Sequence, residues 1–202
     1  MEFIFIRHGA TFGNLMKRFI GITDEELCEE GIDGLYGGSL ISDDRLVDIT
    51  TVYTSPLQRC TKTAEILFPG ARQIICDEIR ECDFGILEGK NHEELLSDER
   101  YIRFIENERA DEFPCGERIA DFLLRCAQGF RDIVEDATRR GLDKIVVVAH
   151  GGTAMGILDT YLIEDEKKGD PYYKWSPENG HGYHASLSYD DNEIVIYDLT
   201  GI

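Results

Sequence analysis

Apolar positions along the chain follow two patterns. Short unbroken runs, Phe3-Ile4-Phe5-Ile6 and Lys144-Ile145-Val146-Val147-Val148-Ala149, together with the β-prone triplet Val52-Tyr53-Thr54, read as strands buried on both faces, as in a parallel sheet. Each stops abruptly, at Arg7-His8-Gly9, at Ser55-Pro56 and at His150-Gly151-Gly152. Between them the apolar spacing changes to the helical period. Leu57, Cys60, Ala64 and Leu67 or Phe68 share one stripe of a helix that takes Ser55 as N-cap and Pro56 as its first residue. Ile119, Phe122, Leu123, Cys126, Phe130, Ile133, Val134 and Ala137 mark the buried side of a long helix over 116–140, stopped by Gly141. A further helix after Gly152 carries Met155, Leu158 and Leu162. Residues 29–43 read as a helix, although Gly31, Gly34, Gly37 and Gly38 each cost it about 1 kcal/mol relative to alanine. Residues 91–107 read as an inserted helical stretch able to form a lid or small cap, and 186–189 with 194–197 as a terminal hairpin around 190–193.

Strands alternating with helices predict an α/β fold: a three-layer sandwich with a mostly parallel central sheet, helices on both faces, and a small helical cap insertion at about 90–113 within one domain spanning 1–202. In such sheets ligands bind beyond the carboxyl ends of the strands. The strand ends named above carry polar residues, and two of them carry histidine.

The 202 residues suffice for a sizeable core, and no apolar run approaches the roughly 20 residues that span a bilayer. The first residues lack a basic segment and reach Arg7-His8 too early for a signal peptide, which sets an expectation of a cytoplasmic protein. With 21 Lys and Arg against 40 Asp and Glu, the formal charge is −19, which argues against binding nucleic acid or anionic membranes. A local cluster of arginine and histidine can still hold a small anion. The six cysteines show no CxxC spacing and are expected as free thiols rather than a disulfide framework. No Cys/His group has zinc spacing, and no metal or other cofactor is expected.

The chemistry therefore concentrates at the strand ends. Arg7 offers a rigid fork of donors for phosphate or carboxylate, and His8 is a nucleophile or acid–base candidate at neutral pH. Gly9 lets the backbone turn sharply and leaves room for a ligand. His150-Gly151-Gly152 repeats the arrangement at a second strand end, and Arg59, one turn into its helix, can lean back to the same rim. Two arginines and two histidines converging on one cleft would neutralise a phosphoryl group and stabilise its charge during transfer.

Four segments in order, Arg7-His8-Gly9-x-Thr11-x-x-Asn14, Ser55-Pro56-Leu57-x-Arg59-x-x-x-Thr63-Ala64, Glu81-x-x-Phe84-Gly85-x-x-Glu88-Gly89 and Ala149-His150-Gly151-Gly152, resemble the histidine phosphatase superfamily, the group that includes the phosphoglycerate mutases. The resemblance implies a phosphohistidine on His8, a phosphoryl group held by Arg7, Arg59 and His150, and Glu81 as the general acid and then base. Asn14 and Thr11 would border the phosphate pocket, with Gly151 beside it. Glu81 is preferred to Asp83 and Glu88 by motif register alone. Three positions depart from the usual pattern: Ala10 where glutamate is common, Leu87 in place of an aromatic that would shape the substrate wall, and Arg118 where a serine is usual, implying a changed helix start.

Arg18, with Lys17, is read either as a contact to a second anionic group of the substrate or as solvated surface. His181 and His184 are read as part of a packed connection into the last hairpin, with pocket lining as the alternative, while His92 and Lys62 are given no catalytic role. Phe104, Phe113, Tyr172 and Trp175 would line a pocket or a homodimer contact. The function this implies is a metal-independent phosphomonoesterase acting on a small phosphorylated metabolite. The alternatives are a phosphoglycerate mutase, for which 202 residues leave little room for extra segments, and a non-catalytic phosphate-binding domain, against which the presence of His8 and Glu81 argues. A fainter resemblance is to the alpha-ribazole phosphatases, through the short length and the Tyr/Trp-rich segment before the hairpin.

Overall fold

The computed structural model describes residues 1–106, 112–167 and 175–202. Along the chain run β1 (Glu2–Arg7), α1 (Phe12–Leu15), α2 (Glu29–Gly37), β2 (Thr51–Thr54), α3 (Gln58–Leu67), β3 (Arg72–Ile75), α4 (His92–Leu95), α5 (Glu99–Glu106), α6 (Ile119–Arg140), β4 (Lys144–Ala149), α7 (Gly151–Tyr161), α8 (Glu164–Lys167), β5 (Gly182–Asp190) and β6 (Glu193–Gly201). The strands form one sheet in the order β3-β2-β4-β1-β5-β6. The first four strands along the chain pair in parallel, whereas β5 joins β1 and β6 joins β5 in antiparallel fashion.

The continuous apolar runs serve two layers at once because successive side chains of a strand point to opposite faces. Phe3, Phe5, Ile145 and Val147 pack beneath Phe130, Ile133 and Val134 of α6 and Ile157 and Leu158 of α7. Ile4, Ile6, Val146 and Val148 pack with Leu35 of α2 and with Cys60, Ala64 and Leu67 of α3 on the other face. The fold is therefore α/β with a mostly parallel sheet covered on both sides, as the strand composition predicts.

Several elements differ from the sequence expectation. The strand β3 carries no strong apolar run because it lies at the sheet edge, half exposed. Helix α3 begins two residues later than expected, at Gln58 rather than Pro56, with Leu57 as N-cap, and Ser55 does not cap it. The Ser55 hydroxyl instead meets His150 Nε2 at 2.8 Å. Helix α2 ends at Gly37, and Leu40–Ser42 forms a separate 3₁₀ turn beyond the Gly37-Gly38 pair. The expected helix over 91–107 is two helices, because Asp98 accepts from the backbone of Arg100 and starts α5 anew; Asn107 lies outside the described residues. The hairpin is longer than expected, with Asp191 and Asn192 both at positive φ in its two-residue turn. Beside the main layers, Leu87, Leu95, Tyr101 and Phe104 form a separate buried cluster under α4 and α5. Residues 107–111 of the expected cap lie outside the described residues. Among the described residues, no helix is long and apolar enough to cross a membrane.

Candidate active site

Register alone brings the strand ends together. Arg7 is level with Ala149 across β1 and β4, and the next amide, His8 N–H, donates to Ala149 O at 3.0 Å. Thr54 is level with Val148, and Ser55 N–H donates to Val148 O at 3.1 Å. His8, Ser55 and His150 thus leave the sheet side by side, and all three are buried. The two imidazoles approach edge to face with ring centroids 5.2 Å apart.

His8 Nδ1 lies 2.7 Å from Gly9 O. A carbonyl only accepts, so Nδ1 carries the proton and Nε2 keeps its lone pair. Gly9 N–H donates to Thr63 Oγ1 at 2.9 Å, and that hydroxyl donates to Arg59 O at 2.7 Å, which ties the His8 turn to α3. Burial, followed by the charges of Arg59 and Arg7, pushes the His8 pKa well below its ordinary value; burial, Arg59 and His8 do the same for His150. Both rings are held neutral.

The arginines are fixed by backbone oxygens rather than by carboxylates. Arg59, fully buried, donates to Thr23 O at 2.8 Å and Gly21 O at 2.7 Å. Arg7 donates to Pro177 O at 2.8 Å. The Nε–H of each is buried with no acceptor among the described residues. The loop that holds Arg59 is tied down by Glu88, whose carboxylate accepts from the amides of Gly21, Ile22, Thr23 and Phe84 and from the Thr23 hydroxyl. Glu88 therefore anchors the loop and is not free for acid–base work.

Glu81 is the buried carboxyl of the cluster, 7 % exposed. It accepts from Cys82 N–H at 3.0 Å and from Gly152 N–H at 3.1 Å. Burial raises its pKa, against the pull of those two amides, Arg59 and Arg7. Gly152 is required there, since a Cβ would overlap Glu81 Oε1. Gly151 plays the corresponding part beside Arg7, where a Cβ would overlap Ser176 Oγ and lie 3.6 Å from the guanidinium carbon.

Asn14 and Thr11 cap α1 reciprocally: Asn14 N–H donates to Thr11 Oγ1 and Thr11 N–H to Asn14 Oδ1. Asn179 Nδ2 donates to the same Asn14 oxygen at 3.2 Å and to His8 O at 3.1 Å. Arg18 is engaged elsewhere, donating to Glu94 of α4 at 2.7 Å. His92 meets the Tyr101 hydroxyl at 2.7 Å, Lys62 pairs with Glu65, and His184 lies by Glu2, all away from the cluster. His181 reaches it only by its backbone, accepting from Arg7 N–H at 2.9 Å. Leu87 is fully buried in the cluster beneath α4 and α5 and forms no part of the cavity next to Glu81, contrary to its expected place on a substrate wall. Trp175 packs into the main core, Phe104 and Phe113 line that cavity, and Tyr172 lies outside the described residues. Arg118 is the N-cap of α6 without a side-chain cap bond.

The family model of the histidine phosphatase superfamily (branch 1) matches residues 3–196. The chain belongs to this superfamily. It is 30 % identical over 163 residues, 77 % of this chain and 73 % of the relative, to the 2,3-bisphosphoglycerate-dependent phosphoglycerate mutase 2 of Gloeobacter violaceus. The alpha-ribazole phosphatase structure from Shigella flexneri superposes with a TM-score of 0.76 at 20 % identity, covering 97 % of this chain and 94 % of that one. A phosphoserine phosphatase mutant from Entamoeba histolytica in complex with phosphoserine has a TM-score of 0.73 at 26 % identity, covering 98 % and 95 %. The chain is an enzyme of this type.

Sequence reasoning missed four parts of this site: Asn179, the collision that reserves position 152 for glycine, the Glu88 anchor, and Arg125. From α6, Arg125 donates to the carbonyls of Glu78, Arg80 and Glu81 at 2.7, 2.8 and 3.0 Å, while both Glu117 oxygens hold its guanidinium at 2.7 and 2.8 Å. The pair fixes the backbone that presents Glu81. Arg125→Met should destabilise the protein by about 2–4 kcal/mol in urea unfolding, because a largely buried carboxylate and three carbonyls lose their donor. A loss under about 0.5 kcal/mol would show that the clamp is dispensable. The buried imidazoles predict a pH dependence as well. Their folded pKa values lie below the unfolded one, so the stability they contribute is complete above about 6.5 and is lost as pH falls from there toward the depressed values. Between pH 7 and 5 the urea midpoint of His8→Asn should fall less than that of the wild type; equal losses would refute the assignment of neutral His8.

Proposed function

We propose that the protein is a phosphomonoesterase working through a phosphohistidine on His8, without a metal cofactor. The observation that carries this reading is a neutral imidazole with its Nε2 lone pair unprotonated, beside the half-buried Arg7 and the buried Arg59, whose buried Nε–H groups have no acceptor among the described residues. Buried donors without partners are rare, and a phosphoryl group would satisfy them.

In the first step His8 Nε2 forms the N–P bond while the bond from phosphorus to the ester oxygen breaks. Glu81, whose raised pKa favours its acid form, gives its proton to that oxygen. In the second, the Glu81 carboxylate takes a proton from water, the water oxygen attacks phosphorus, and the N–P electron pair returns to His8 as phosphate leaves. Arg7, Arg59 and His150 hold the phosphoryl oxygens through both steps, the arginines supplying the positive charge. Asn14 joins them through Nδ2, since its Oδ1 already accepts from Thr11 and Asn179. The site takes a small phosphorylated metabolite.

The similarity to the Gloeobacter violaceus mutase supports a second reading, phosphoglycerate mutase, in which the phosphoryl group returns to another substrate oxygen instead of water. Incubation with 3-phosphoglycerate separates the two by 2-phosphoglycerate formed against phosphate released.

p-Nitrophenyl phosphate should be hydrolysed in EDTA, and His8→Ala should lower turnover by at least about a thousandfold while the protein stays folded. Activity surviving in the variant would refute the nucleophile. Glu81→Gln should cost about 10²–10⁴-fold on alkyl phosphates and less than about tenfold on p-nitrophenyl phosphate, whose leaving group needs no proton. Equal losses on both would remove Glu81 from the acid role.

A further inference from the structure

Beyond Glu81 lies a cavity of about 270 Å³ that the phosphoryl-transfer steps do not use. Phe19, Phe84, Phe104, Phe113, Phe122 and Met155 line it, and Glu81 and Gly152 form its wall toward the His8 cluster. The rings are arranged edge to face, Phe84 against Phe113 at 4.9 Å and Phe19 against Phe84 at 5.6 Å, so the lining is a packed aromatic shell. No lysine, arginine or histidine is among its described lining residues. The Tyr101 hydroxyl, the one phenol in the lining, is bonded to His92. Arg18, the nearby cation from α1's loop, is bound to Glu94.

A leaving oxygen protonated by Glu81 must sit against that carboxyl, so the rest of the leaving group extends past Glu81. We infer that this aromatic cavity receives the leaving group, and that the substrate class is phosphate monoesters of apolar, ring-bearing alcohols rather than short acidic ones such as phosphoglycerates. A second anionic group would be desolvated there, with no cation among the described lining residues to meet it. The volume suits a ring with substituents, since an apolar cavity of about 150 Å³ already admits benzene. The inference rests on the phosphatase reading for which group leaves, but the fit of the cavity is measurable without turnover.

Two measurements separate the possibilities. In calorimetry, benzylphosphonate should bind at least about tenfold more tightly than methylphosphonate, because only its ring enters the cavity. In turnover, kcat/KM for 2-phenylethyl phosphate should exceed that for ethyl phosphate and for 3-phosphoglycerate by at least about tenfold; both alkyl leaving groups need the same proton from Glu81. Ile105, half-buried in the lining, reports the location: Ile105→Asp should pull the ratio of aromatic to ethyl ester toward one. If benzylphosphonate gains nothing over methylphosphonate, or if 3-phosphoglycerate is preferred, the inference is wrong while the phosphatase reading stands. If the phosphonate preference is present but no ester is hydrolysed, the cavity assignment holds and the phosphatase reading falls.

Discussion

Everything at the site depends on the register between β1 and β4. Six consecutive residue pairs, from Glu2 with Lys144 to Arg7 with Ala149, set the two strands to end at one height. A slip of one residue would turn Arg7 to the opposite face and exchange the two apolar sets that feed the separate cores. Because Phe3, Phe5, Ile145 and Val147 are buried under α6 and α7 while Ile4, Ile6, Val146 and Val148 are buried under α2 and α3, both faces oppose such a slip. Core packing and catalytic geometry are thus one constraint: burial that stabilises the sheet also brings the His8 and His150 rings to a 5.2 Å separation.

The second constraint is electrostatic. Gathering Arg7, Arg59, His8 and His150 at one end of the sheet in a chain of net charge −19 invites neutralisation by carboxylates, and the structure instead holds the terminal guanidinium nitrogens with carbonyls. Carbonyl dipoles hold the arginines in place without cancelling their charge, which remains available to an incoming anion and adds to burial in keeping both imidazoles neutral. Acidic residues do serve the site, one layer out. Glu88 gathers the amides of the loop whose carbonyls grip Arg59, and Glu117 holds Arg125, which grips the backbone of Glu81. Among the described acidic residues only Glu81 enters the cluster, and burial offsets the nearby cations enough to raise its pKa.

The parts legible in the sequence are those written in consecutive residues. Apolar runs that end at Arg7-His8 and at His150 announce both the strands and the rim, because a buried parallel strand must be apolar throughout and a ligand must meet it where it ends. Long helices with an unbroken stripe, such as α6 with its Gly141 stop, are equally readable. The edge strand β3 escapes because half its surface is exposed and no apolar run is needed. Ser55 looks like a helix cap and is instead the partner of His150, since local capping rules do not know what approaches from another strand. Asn179 and Arg125 act through backbone carbonyls 171 and 44 residues away, and nothing in their immediate sequence marks them. Glu88 shares a motif with Glu81, and motif register sets the two apart without saying what Glu88 does; its part as the anchor of the Gly21–Thr23 loop shows only in the fold.

Burial of Glu81 performs two tasks that the aromatic cavity joins. A carboxyl acts as an acid near neutral pH only if its surroundings disfavour the anion, and burial of Glu81, which lines the same cavity as Phe84, Phe122 and Met155, provides such surroundings. That cavity, on our reading, receives the leaving group. An apolar leaving group that fills the cavity displaces water from beside the carboxyl and so sustains the acid form when it is needed, whereas an anionic one would lower the local cost of water and gain nothing from the rings. Substrate preference and acid strength then share one physical origin, the low polarity of the space beyond Glu81. On the proposed mechanism, altering the cavity lining should therefore shift both together, while changes at Arg7 or Arg59 would act on the phosphoryl group whatever alcohol it is attached to.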